Sequence, residues 1–175
     1  MNINVSQIRE AEGLNVRHLY PEGEPELRDE DLRLLGRTSL NLHAARDGDK
    51  VEAAGEVRAD VELICDRCLA RFSLPIEQSF DLLYVPAPSS GRPQEEKELD
   101  DRDLSVSVYE AETIDLDDLV REQIELALPM VRLCRESCAG LCPDCRANLN
   151  EGPCACSHEQ TDSRWDALKS LKSDS

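Results

Sequence analysis

The residues best equipped for chemistry in this sequence are eight cysteines, at positions 65, 68, 134, 138, 142, 145, 154 and 156. Thiolates are soft ligands, and a tetrahedral Zn2+ takes four of them; a C-x-x-C pair serves because one tight turn aims both sulfurs at a single ion. Cys142, Cys145, Cys154 and Cys156 fall within one short run, CPDCRANLNEGPCAC. Pro143 fits the turn inside the first pair, and the stretch from Asn148 to Gly152 can fold the chain back so that the second pair meets it. This spacing predicts a local Zn2+ site. Cys65, Cys68, Cys134 and Cys138 would make a second site only by joining across the sequence. The alternatives are a Cys65/Cys68 pair without metal or another partition of the ligands, so one Zn2+ is expected and a second is open.

Two other cysteine chemistries compete. Cys138-x3-Cys142-x2-Cys145 has the spacing with which radical S-adenosylmethionine enzymes hold an iron–sulfur cluster, but Asp144 stands where those enzymes favour an aromatic, and no alternating β/α pattern follows. A redox C-x-x-C wants a helix N-terminus to lower its thiol pKa, whereas Cys65-Asp66-Arg67-Cys68 lies between two strand patterns. Catalytic constellations are otherwise thin. His18, His43 and His158 are scattered, and the chain has no glycine-rich phosphate loop, nucleophile elbow or paired-carboxylate motif. A four-thiolate site is coordinatively closed and cannot activate water, so no enzymatic activity is expected. Arg132, Arg135 and Arg146 stud the cysteine segment and, with Lys169 and Lys172, could form a small basic binding face.

These cysteines need elements to position them. Leu40, Leu42 and Ala44 alternate with polar residues; after the Arg46–Asp49 turn, apolar or small residues take every second position from Val51 to Leu63. Beyond Cys65–Cys68 the alternation resumes at Phe72, Leu74, Ile76, Phe80, Leu82 and Tyr84. Period two marks half-buried strands. The pattern predicts an antiparallel meander, with Asn2–Ile8 and Ser105–Tyr109 as candidate further strands, in a twisted sheet or partial barrel. Pro75 argues for an edge or a bulge. Leu116, Leu119, Val120, Ile124 and Leu128 recur at helical spacing, with Asp115 as N-cap and Pro129 just past the end. Residues 85–103, with three prolines and an acidic run, read as a long solvated loop. Residues 163–172 (SRWDALKSLK) read as a short amphipathic helix with Trp165 as its apolar anchor. The expectation is an α+β domain over 1–128 and a cysteine-rich zinc module with a short terminal helix over 129–175.

Charge narrows the function classes. Among 175 residues, 20 Lys and Arg face 37 Asp and Glu, a formal charge of −17. That balance argues against a free-standing binder of bare nucleic acid, since neutralising a polyanion takes clustered cations. The acidity is uneven: residues 85–118 carry eleven acids against three bases, residues 129–175 seven against six. No long apolar run appears, and residues 1–13 lack a basic start and apolar centre, so neither a membrane span nor secretion is signalled. The expected compartment is the reducing cytoplasm, where disulfides do not persist.

The motifs also carry a resemblance. Glu62-Leu63-Ile64-Cys65-Asp66-Arg67-Cys68-Leu69 after a long alternating strand, Leu128-Pro129-Met130 closing the helix that starts at Ile114-Asp115-Leu116, Gly140-Leu141-Cys142-Pro143-Asp144-Cys145, Asn148-Leu149-Asn150, Cys154-Ala155-Cys156 and Asp162-Ser163-Arg164-Trp165-Asp166-Ala167-Leu168 follow in order. From about residue 35 onward the chain resembles the YceD family, whose members are called large ribosomal RNA subunit accumulation proteins. The resemblance implies a non-enzymatic factor for synthesis, processing or stability of large-subunit ribosomal RNA. Its expected partner is a ribosomal protein or a precursor large subunit, with direct RNA contact open. The chain departs from the family pattern twice: Arg146 stands where similar sequences favour Gly, and Ser163 replaces a usual Pro. An alternative from the residues alone is a zinc-ribbon module that binds transcription machinery.

Overall fold

Long alternating runs of β-branched and aliphatic residues build the frame. In the computed structural model, which describes residues 1–10, 12–29, 31–87 and 105–156, Arg33–Asp47 (β3), Lys50–Ile64 (β4) and Arg71–Pro86 (β5) form an antiparallel meander. The β3–β4 turn is Gly48-Asp49, with Gly48 at φ 59° and Arg46 Nε donating to its carbonyl at 2.7 Å. Leu14–Leu19 (β2) adds to β3 on one side, and Val106–Tyr109 (β6) adds to β5 on the other. Earlier in the chain, Asn2–Asn4 (β1) leads into a 3-10 turn at Val5–Gln7; later, Thr113–Asp115 (β7) leads into the helix Leu116–Ala127 (α1).

The period-two pattern puts one face inside. Leu40, Leu42, Ala44, Val51, Ala53, Val57, Ala59, Val61, Leu63, Ile76, Phe80 and Tyr84 are buried there. The helix lies against β4 and β5 and buries Leu116, Leu119, Val120 and Ile124. Asp115 is its N-cap, accepting from the backbone N–H of Asp117 at 2.9 Å. That satisfies a donor the first turn leaves without an intrahelical partner. Inside the sheet, Leu42, Gly55 and Phe80 share one rung. A Cβ on Gly55 would stand 2.2 Å from the Asn41 carbonyl oxygen and 2.8 Å from the Phe80 ring, so only glycine fits.

Several expectations need correction. The sheet is mixed, because β6 runs parallel to β5. The N-terminal strand does not join it: β1 pairs with β7 in a separate two-stranded sheet, Asn2 opposite Asp115. β2 escapes a sequence reading because its alternation is short and mixed in type: Leu14 and Val16 turn inward between exposed Asn15 and Arg17, but His18 takes the next inward position. The start of β3 hides for another reason: its register slips between Leu35 and Ser39, where Gly36 takes φ 68°, and the alternation breaks there. Val85 and Pro86 belong to β5 rather than to the acidic loop. Pro75 sits where β5 has β4 on one side and, among the described residues, no strand on the other, since β6 reaches only Leu83–Pro86. Residues 88–103 of the acidic stretch and the Trp165 segment lie outside the described residues. Among the described residues no helix is long and apolar enough to cross a membrane.

Candidate metal centres

The turn between β4 and β5 is the first place where thiols converge. Cys65 N donates to Ala70 O at 2.9 Å, Leu69 N donates to Cys65 O at 2.9 Å, and Leu69 takes φ 57°. The same backbone figure recurs in the cysteine-rich segment: Cys142 N donates to Ala147 O at 2.8 Å, Arg146 N donates to Cys142 O at 2.9 Å, and Arg146 takes φ 59°. Each C-x-x-C is therefore a knuckle whose fifth residue is left-handed, a conformation that costs an L side chain roughly 1–2 kcal/mol. A glycine at position 146, as the resemblance leads one to expect, would carry no such cost.

The eight sulfurs gather in two groups of four, Cys65 with Cys68, Cys134 and Cys138, and Cys142 with Cys145, Cys154 and Cys156. Within each group all sulfurs lie within 4.8 Å of one another. In the long-range group the Cys65–Cys138 and Cys68–Cys134 sulfurs are 3.8 and 3.7 Å apart. A disulfide would need about 2.05 Å, whereas thiolates about 2.3 Å from one tetrahedral Zn2+ stand about 3.8 Å from each other. The spacing therefore fits four ligands around one ion. The two groups differ in surroundings. Cys65, Cys68 and Cys138 are buried with Phe72, Leu133 and Leu141 packed against them, while the local group has buried Cys142, exposed Cys145 and half-buried Cys154 and Cys156.

The thiols are also electrostatically sorted. Burial opposes ionisation of Cys65, but backbone N–H groups of Cys134, Cys68 and Arg67 at its sulfur outweigh this and bring it down to about 6. Cys142 is likewise brought down to about 6 by the backbone of Cys145, against burial. Cys138 is also held below the usual thiol range, first by the Asn150 side chain, whereas burial and the neighbouring thiols push Cys134 up to about 12, and the Cys145 thiol together with burial does the same to Cys156. Four thiolates in contact repel one another, and a dication supplies the missing compensation. Bound there, such an ion would cross-link segments that share little other core.

A hydrogen-bond frame holds the groups in place. Asp66 N donates to Arg132 O at 2.8 Å and Arg132 N returns the bond to Asp66 Oδ2 at 2.6 Å, pinning the first knuckle to the chain that leaves α1. Leu141 N donates to Arg67 O at 3.1 Å, and Arg67 Nη1 donates to Cys138 O at 3.0 Å. Gly140, at φ 77°, passes Arg67 so closely that a Cβ would sit 3.1 Å from its carbonyl oxygen. Asn150 donates to Cys138 Sγ at 3.4 Å. Of the three arginines singled out in the sequence, Arg132 pairs with Asp29 at 3.3 Å and Arg135 bonds Asn150 Oδ1 at 2.6 Å, while Arg146 carries the second knuckle's turn. The positioning roles of Asp66, Arg67 and Asn150 have no spacing signature of their own; all three lie inside the motifs that carry the resemblance, the one signal that could have found them.

Comparison with known proteins adds a consistent frame. The family model of the large ribosomal RNA subunit accumulation protein YceD matches residues 53–172. The large ribosomal RNA subunit accumulation protein YCED homolog 1, chloroplastic, of Arabidopsis thaliana is 26% identical over 173 residues, covering 87% of this chain and 50% of its own. An uncharacterized protein of Mycobacterium tuberculosis strain H37Rv is 32% identical over 130 residues, 74% of this chain and 59% of its own. One of Mycobacterium leprae is 26% identical over 133 residues, 76% of this chain and 58% of its own. The chain thus spans little more than half the length of the curated relatives it matches. No solved structure matches it significantly.

Proposed function

The chain belongs to the YceD family, and from that premise we propose that it is a non-enzymatic factor in the accumulation of large-subunit ribosomal RNA, stapled by Zn2+ at both four-cysteine groups. The observation that carries the role is the family match over residues 53–172, which spans both groups. The name of the Arabidopsis relative, a large ribosomal RNA subunit accumulation protein, points the same way. Closed sets of four thiolates leave no ligand position for a substrate, which favours structural ions over catalytic ones. With a formal charge of −17, the chain is better suited to a basic ribosomal protein, alone or on a precursor large subunit, than to bare RNA. Arg146 and its neighbours then serve the fold of the cysteine segment first.

The full chain is expected to co-sediment with precursor large subunits on a sucrose gradient, and Cys142→Ser is expected to remove it from those fractions. Depletion that leaves the large-subunit precursors and their ribosomal RNA unchanged would sink the role. Recovery of RNA polymerase subunits in place of ribosomal proteins in a pull-down would favour a transcription module instead.

A further inference from the structure

One side chain belongs to the loop of the local cysteine group and touches a sulfur of the other. Asn150 lies between Cys145 and Cys154 in the chain, yet its Nδ2 donates to Cys138 Sγ at 3.4 Å. Its Oδ1 accepts from Ala139 N at 2.9 Å and from the Arg135 guanidinium at 2.6 Å, so one amide clamps the Cys134–Cys138 loop and donates to its sulfur. What places Asn150 is the local loop itself. Its backbone N and its Nδ2 donate to Asn148 Oδ1 at 3.1 and 2.8 Å, Leu149 N donates to Gly140 O at 2.9 Å, and Glu151 N donates to Asn148 O at 3.1 Å. None of these eight residues between Cys145 and Cys154 is buried. A loop without a core of its own is held by a few such bonds and by its ends, and the ends here are tied through the local thiols.

We infer that Asn150 couples the two centres: a dication held by Cys142, Cys145, Cys154 and Cys156 orders this side chain and thereby tightens the hold of Cys65, Cys68, Cys134 and Cys138 on a second one. The inference rests on the Zn2+ reading proposed above. A bond donated to a thiolate is charge-assisted and fixes the sulfur's orientation, and loss of such outer partners typically weakens metal binding 10- to 100-fold. Coupling of this kind is reciprocal, so filling the long-range group tightens the local one by the same factor. Asn150 is a positioning residue; it donates to a ligand and does not itself hold the ion.

The test uses the full chain at buffered free Zn2+, with protection of each cysteine from alkylation mapped residue by residue by mass spectrometry. Cys142→Ser is expected to weaken protection of Cys65, Cys68, Cys134 and Cys138 by about 10- to 100-fold in Zn2+ concentration. Asn150→Ala is expected to produce a similar loss there and, by reciprocity, to remove the extra protection that filling the long-range group gives the local one; the two changes together are expected to exceed neither alone, as for residues acting in one unit. Asn150→Asp keeps the acceptor for Ala139 and Arg135 but puts a carboxylate oxygen beside the Cys138 sulfur and Asn148 Oδ1; it is expected to weaken the long-range group as Ala does, and a group held as in the wild type would overturn the role of the Nδ2 donor. Protection of the long-range group that is unchanged in Asn150→Ala, or losses that add, would overturn the coupling while leaving two Zn2+ sites standing. A wild-type chain that takes up no Zn2+ would overturn the metal reading and this inference together.

Discussion

At the residue scale, the left-handed residue of the second knuckle is the sharpest case. Arg146 holds φ 59° while its N–H bonds Cys142 O, so its Cβ is carried in a region that suits glycine. Removing that Cβ relieves roughly 1–2 kcal/mol, and the freer unfolded glycine takes back about 0.5–1 kcal/mol. Arg146→Gly is therefore expected to stabilise the Zn2+-loaded chain by about 0.5–1 kcal/mol, read as a higher midpoint in denaturant titration; a lower midpoint would mean the guanidinium contributes more than the strain costs. The sequence made this position conspicuous, since glycine was the expected occupant, but its φ followed only from the backbone figure shared with Leu69. The cysteine types and spacings were likewise legible, whereas the donor at Cys138 Sγ was not: an asparagine twelve residues away in the chain has no periodicity to betray it.

At the element scale, alternation disclosed the long strands and missed β2, whose inward positions are few and include a histidine. β4 and β5 were readable through Val57, Val61, Leu63, Ile76 and Tyr84, and α1 through Leu116, Leu119, Val120 and Ile124. The direction of β6 was not, because a four-residue strand with Val108 largely exposed encodes neither its partner nor its polarity. Within the meander, Gly55 admits no side chain: a Cβ would collide with the Asn41 carbonyl and the Phe80 ring. Gly55→Ala is expected to destabilise the fold by about 2 kcal/mol or more, the scale of overpacking in a well-filled interior. Thermal unfolding of the variant with Zn2+ present is the measurement. An unchanged midpoint would show that β3 and β4 can separate locally at no cost.

At the scale of the whole molecule, the sheet and the cysteine segment draw on different sources of stability. The sheet and helix share one large apolar cluster, whereas the buried members of the second cluster are Cys65, Cys68 and Cys138. Segments that lack a core fold on metal binding and loosen without it. A chelator is therefore expected to expose the chain between residues 130 and 156 to limited proteolysis while the sheet remains intact by circular dichroism; a cysteine segment that stays resistant in chelator would contradict metal stapling. Loading also changes the charge, since eight thiolates with two dications move the formal value from −17 to −21. With the proposed Zn2+ ions bound, the chain would attract the basic partner proposed above more strongly than its sequence charge alone.

The long reach of the first centre bears on how the chain is made. Cys68 meets Cys134 across 66 residues. At synthesis rates of about 5–20 residues per second, Cys68 is made some 3–13 s before Cys134. During that interval a half-formed thiol pair is presented on a nascent sheet, open to oxidants and to stray metal ions, and only the arrival of the cysteine-rich segment closes it.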